Sequence, residues 1–198
     1  MGRSAKRDDV VTSALAEFLA KGYSGTTLAN IAQRAEVSTA TVFKHFRTKA
    51  DVFGAIMERV LSGEDVFSVP DLAHGNVREN LHRIGMAYAD SVAPDSIRAL
   101  FRLVIAEVPR FPELGEELYK KGKRPYLDRL EGFLAARCEA GELAISDIPN
   151  AARQFLGMIN DVTFWPYLLV ENLPPADTAG VVASAVDTFL RAYRSRST

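Results

Sequence analysis

Cysteine is all but missing from this 198-residue chain. Cys138 stands alone, so no internal disulfide can form, and a cytoplasmic location is expected. No apolar run approaches the ~18–20 residues of a membrane span. The basic start Met1-Gly2-Arg3-Ser4-Ala5-Lys6-Arg7 is not followed by the apolar core of a signal peptide. All nine prolines stand at position 70 or later, mostly where helices should begin or end. Repeats, low-complexity stretches and strand-like alternation are absent or nearly so. Histidines number three, and His74 and His82, with Glu79 between them, lack the spacing of a helical metal site. Neither a Gly-rich phosphate loop nor a nucleophile elbow occurs. The sequence therefore argues against an enzyme, and no cofactor or metal is expected.

What is present is apolar periodicity near 3.6 residues, which makes the chain all-α. The net charge of −1 hides an asymmetry. Residues 1–50 hold eight Lys/Arg against four Asp/Glu, a charge of +4, while the remainder holds sixteen against twenty-one, a charge of −5. A basic head on an acidic body suits a molecule that turns one end toward phosphates. A first helix is expected over about 8–21, with Asp8 and Asp9 in its first turn and Gly22 just past its end. A second is capped by Thr26 or Thr27, a third by Ser38 or Thr39, and a fourth starts near Thr48. Residues 63–75 read as a loop. In the body, helices are expected over about 76–92, 94–108, 113–121, 125–141 and 149–170, with a last one ending near Arg194. The helix over 149–170 is apolar nearly all round, which predicts burial on more than one side.

Residues 27–49, TLANIAQRAEVSTATVFKHFRTK, carry the most information. Two short helical segments flank a tight polar break at Glu36-Val37-Ser38. The second opens with small hydroxyl residues and leads into Lys44, His45, Arg47 and Lys49. This is the pattern of a helix-turn-helix, whose second helix offers its N-terminal side chains to a DNA major groove.

The spacing of Phe18 to Tyr23, Thr26-Thr27-Leu28, Ile31-Ala32, Ala35 to Ser38 and Phe43 to Lys49 resembles the N-terminal domain of TetR/AcrR-family repressors over residues 8–60. The body, through Arg102 to Glu107 and Arg110 to Leu114, resembles a C-terminal ligand-binding domain of that family. The resemblance implies a three-helix DNA-binding domain over residues 1–50, with a basic mobile arm at 1–7, and a helical effector-binding and dimerisation domain over 51–198. Glu36 stands where the family often has Gly, and Phe43 where it usually has a phosphate-binding Tyr.

By this similarity Thr39, Ala40 and Thr41 lead the helix into the groove, where hydroxyls and methyl groups meet base edges. Lys44 reaches guanine or phosphate, and Phe43 keeps ring contact alone. His45, Lys49 and the helix starts at Thr27 and Ser38 contact the backbone. The resemblance also implies a homodimer through the last two long helices and a palindromic double-stranded operator. A small apolar or amphipathic effector would release the repressor. The candidate effector contacts are Met86, Phe101, Arg102, Phe111, Met158, Asn160, Asp161 and Trp165. A regulator that binds DNA without any effector is the alternative.

Overall fold

The structure, a computed structural model, describes residues 3–61 and 75–195, with side chains from Lys6 onward. The loop expected at 63–75 lies almost wholly outside these residues, as do His74 and the first two residues of the arm. The chain packs as two compact units, Met1–Ser62 with Asp95–Arg124, and Gly63–Pro94 with Pro125–Thr198. These units do not divide at residue 50, where the boundary is expected. Packing places residues 95–124 with the head.

In the first unit, α1 (Arg3–Gly25) begins five residues earlier than expected. Nothing from Ser4 to Arg7 breaks a helix, so good helix formers extend it upstream and Asp8 and Asp9 fall beyond the first turn. From Arg3 onward the segment expected as an arm is the first part of α1. Arg7 pairs with Glu58 at 3.6 Å, and its guanidinium lies 5.6 Å from the centre of the Phe46 ring. Gly22 breaks the helical path with φ 73°, a conformation that costs a residue without a side chain little. α2 (Leu28–Arg34), α3 (Thr39–His45) and α4 (Lys49–Leu61) follow, then α6 (Asp95–Glu107) and α7 (Pro112–Glu117). Phe18, Ile31, Val42, Val52, Phe53 and Ile56 are fully buried and hold these helices together.

α7 does not stop at a loop. It runs through a π-helical turn (Leu118–Lys123) into α8 (Arg124–Glu139), where separate helices are expected. Pro125 has no N–H to give and its ring crowds the carbonyl four residues back. The wider register, with the Arg124 N–H donating to the Tyr119 carbonyl, carries the chain past it.

The second unit holds α5 (Val77–Val92), most of α8, α9 (Ile148–Thr163), α10 (Trp165–Leu169) and α11 (Thr178–Tyr193). Its core joins Leu81 and Ile84 of α5, Leu127 and Leu130 of α8, Phe155 and Ile159 of α9, and Val182 and Phe189 of α11. α5 crosses close at Gly85. A Cβ there would stand 2.8 Å from Val182 and 3.0 Å from Ile159. The single long helix expected over 149–170 is two. Phe164 leaves the helical region because Pro166 cannot donate to the carbonyl four residues back. Part of the segment is open to solvent: Val162 and Trp165 are each 44% exposed and Leu169 is 76% exposed. Among the described residues no strand occurs beyond an isolated bridge between Leu143 and Arg194, and no helix is long and apolar enough to cross a membrane.

Candidate nucleic-acid interface

α2 and α3 have seven residues each, too short to persist alone in water. Their ends are fixed by side chains. Thr27, rather than Thr26, caps α2. Its hydroxyl accepts from the Asn30 N–H at 3.1 Å, and the Asn30 side chain accepts from the Thr27 N–H at 3.0 Å. Thr26 is buried and donates to the carbonyls of Glu17 (3.2 Å) and Gly22 (2.8 Å), tying the start of α2 to α1. Ser38, rather than Thr39, caps α3, accepting from the Thr41 N–H at 3.1 Å. At the start of α4 the Asp51 carboxylate accepts from the N–H groups of Arg47 (2.9 Å) and Thr48 (2.8 Å).

The turn between the two short helices runs through Glu36 at φ 53°. A side chain is held there in the left-handed region, where glycine is the easier residue, at a cost of about 1 kcal/mol. Its N–H donates to the Gln33 carbonyl at 3.2 Å, and the Val37 N–H donates to the Ala32 carbonyl at 3.0 Å. Glu36 is exposed.

α3 is anchored by one buried side chain, Val42, and by Phe46 just past its end. Thr39, Ala40 and Lys44 are exposed, and Phe43 is 55% exposed, so one face and the leading end of the helix stand free. Thr41 is half-buried, its hydroxyl 2.8 Å from that of Ser38, which turns it into local capping. His45 is half-buried, its ring 6.2 Å from that of Phe46.

Two charged side chains are tied into this unit by several partners. Glu17 is buried and bridges Lys21 at 2.8 Å and Arg34 at 3.1 Å. The hydrogen bond from Lys21 holds its carboxyl below the usual range. Burial works against this, and Arg34 adds to it. Lys49, expected at a phosphate, is half-buried in this structure. Its ammonium donates to the Tyr23 carbonyl at 2.6 Å and lies 4.4 Å from the Tyr23 ring and 6.0 Å from the Phe111 ring. Burial pushes its pKa down, opposed by the Glu107 and Glu113 carboxylates. Burial also raises the Tyr23 phenol to about 12, with Glu113, Asp51 and Glu117 adding to it.

The expected effector residues fall in both units. Phe101, Arg102 and Phe111 belong to the first, where Phe111 packs edge-on against Tyr23 at 5.1 Å. Of those in the second, Met86 lines an open groove of about 650 Å³ between α5 and α11, beside Arg78, His82 and Val186. Met158 packs against the core, Asp161 is exposed, and Trp165 is half-exposed against Phe164. The Asn160 side-chain oxygen Oδ1 is buried without a hydrogen-bond partner. The part played by Tyr23, Thr26, Glu17 and Arg7 was not foreseen from the residues. The signal for Tyr23 and Thr26 is an aromatic directly after the helix-ending Gly22 and a threonine pair at 26 and 27.

A short capped helix, held by one buried valine and free along its leading end, defines a helix-turn-helix DNA-binding protein. Residues 10–56 match the family described as bacterial regulatory proteins, tetR family, and residues 79–195 match the C-terminal domain of AefR-like transcriptional repressors. The chain belongs to the TetR family of DNA-binding transcriptional regulators and, as such, is not an enzyme. It is 32% identical over 139 residues to the HTH-type transcriptional regulator TcmR of Streptomyces glaucescens, a match over 66% of this chain and 59% of TcmR. Over its full architecture it is similar to the flavonoid-responsive regulator FrrA (27% identity, TM-score 0.75, covering 98% of this chain and 100% of that one). It is also similar to SmeT in its triclosan complex (25% identity, TM-score 0.69, covering 96% of this chain and 92% of that one).

Proposed function

We propose that the chain is a homodimeric repressor, held on a palindromic operator by its two α3 helices and released by a small apolar or amphipathic ligand. The free leading end of α3 is the observation that carries this reading: Thr39, Ala40, Phe43 and Lys44 are exposed on a helix fixed from behind by Val42. Thr39 and Ala40 face base edges, with Thr41 behind them, and Lys44 meets guanine or phosphate. Phe43 and His45 flank the backbone, and the capped helix starts at Thr27 and Ser38 offer N–H groups to phosphates. Two copies on a twofold axis read a palindrome. The second unit leaves Gly157 on α9 and Gly180, Ser184 and Thr188 on α11 exposed, small residues that let the helices of a second copy approach. The likeness to a triclosan-bound regulator and to a flavonoid-responsive one supports an apolar or amphipathic effector. Such a ligand acts only by favouring one spacing of the two α3 helices over the other.

Selection of random duplexes on the purified protein at near-physiological salt tests this. An enriched palindrome supports a dimeric reader, and a single unpaired half-site contradicts it. A compound that raises the melting temperature and strips the selected duplex from the protein supports release. Compounds that stabilise without releasing favour an effector-independent regulator.

A further inference from the structure

Lys49 is the first residue of α4, in the turn where the helix dipole disfavours a cation. Among the described residues the compensating groups come from within the unit. The Tyr23 carbonyl, which also accepts from the Thr26 N–H at 3.3 Å, accepts from the ammonium at 2.6 Å. The Tyr23 ring faces the charge at 4.4 Å and the Phe111 ring at 6.0 Å, both within cation–π range. The Glu107 and Glu113 carboxylates act on it from α6 and α7. Tyr23 is itself the centre of an aromatic cluster, 5.4 Å from Phe18, 6.5 Å from Phe53 and 5.1 Å from Phe111. Ser24, the next residue, donates to Glu107 at 3.4 Å. Two residues further on, Thr26 and Thr27 start α2, so the place of Tyr23 fixes the place of the whole helix-turn-helix.

We propose that Lys49 is a positioning residue for DNA binding rather than a phosphate contact, and that Phe111, at the corner between α6 and α7, is its partner in that role. The ammonium pins the end of α1 to the start of α4, and Phe111 closes the far side of the pin. DNA affinity then depends on a residue at the α6–α7 corner, away from the free face of α3. A phosphate contact by Lys49 would require the amine to leave both the carbonyl and the rings.

The two roles separate by salt dependence. A lost phosphate contact flattens the slope of log K against log salt by about 0.9, whereas a mispositioned reader loses affinity at every salt concentration. The duplex is one the wild-type protein selects from a random pool, which requires DNA binding but neither dimer nor effector. Lys49→Met and Phe111→Leu are each expected to weaken binding by about tenfold with the slope unchanged. The double variant should be little weaker than either alone, because the pair acts as a unit. Lys44→Ala, measured alongside, supplies the flattened slope of a true phosphate or base contact. Phe111→Met, which fills the space without a ring, serves if Phe111→Leu does not fold. A slope flattened by about one unit in Lys49→Met overturns the proposal. So does a ring-less Phe111 variant that binds as tightly as wild type.

Discussion

The two units bury their helices by different means. The reader unit places charged and hydroxyl groups inside: Glu17 between Lys21 and Arg34, Thr26 on two carbonyls of α1, Lys49 on the Tyr23 carbonyl. The second unit rests on a larger apolar core, with Phe155 against Phe189 at 5.4 Å and α5 pressed on Val182 at Gly85, although Asn80, Arg137 and Thr163 are buried in it as well. The reason lies in helix length. Sixteen-residue helices such as α5, α9 and α11 bury enough apolar surface to hold each other. Seven-residue helices cannot, and directional bonds make up the difference. Those same bonds fix where the free face of α3 points, which non-directional packing does less sharply.

The largest expected effect breaks the second unit. Phe189→Ala removes a ring that also packs at 4.8 Å on Tyr193, and should cost about 3–5 kcal/mol in denaturant unfolding. Next comes the polar side of the comparison. Thr26→Val keeps the shape and leaves the carbonyls of Glu17 and Gly22 short of a donor, at a cost of about 1–3 kcal/mol. It should also lower DNA affinity. A cost near zero would mean that packing alone holds the reader. Glu36→Gly should stabilise by about 1 kcal/mol, by relieving the left-handed side chain at φ 53°. Loss of stability in that variant would remove strain from the account.

The smallest effect is a pH dependence. Glu17 has its carboxyl held below the ordinary 4.5, so its contribution is present above that value and lost as pH falls through the lower, folded one. Unfolding curves of wild type and Glu17→Gln should therefore converge on acidification below about pH 4.5. A constant gap between them would show that the ion pairs contribute nothing to this dependence.

Most of the fold is legible in the residues because it is local. Caps at Thr27 and Ser38, the stop at Gly22 and the apolar stripes need only neighbours three or four positions away. The same holds for the reader: the small residues at 39–41 and the strain at Glu36 follow from the tight turn before α3. Three features did not follow. The π-helical turn before Pro125 hides a proline that local reasoning takes for a helix start. Phe164 shows the reverse, where Pro166 divides a helix that apolar content alone reads as continuous. Lys49 looks like a surface cation from its place beside Thr48, and only the approach of Tyr23 and Phe111 through the fold turns it inward.

Hydrogen exchange of the protein, free and bound to its selected duplex, tests the central claim most directly. Protection should concentrate on the amides at the start of α2 and from Ser38 to Arg47, with the α6–α7 corner unchanged by direct contact. Protection centred on another helix, or absent from α3, would contradict the assignment of α3 as the DNA reader.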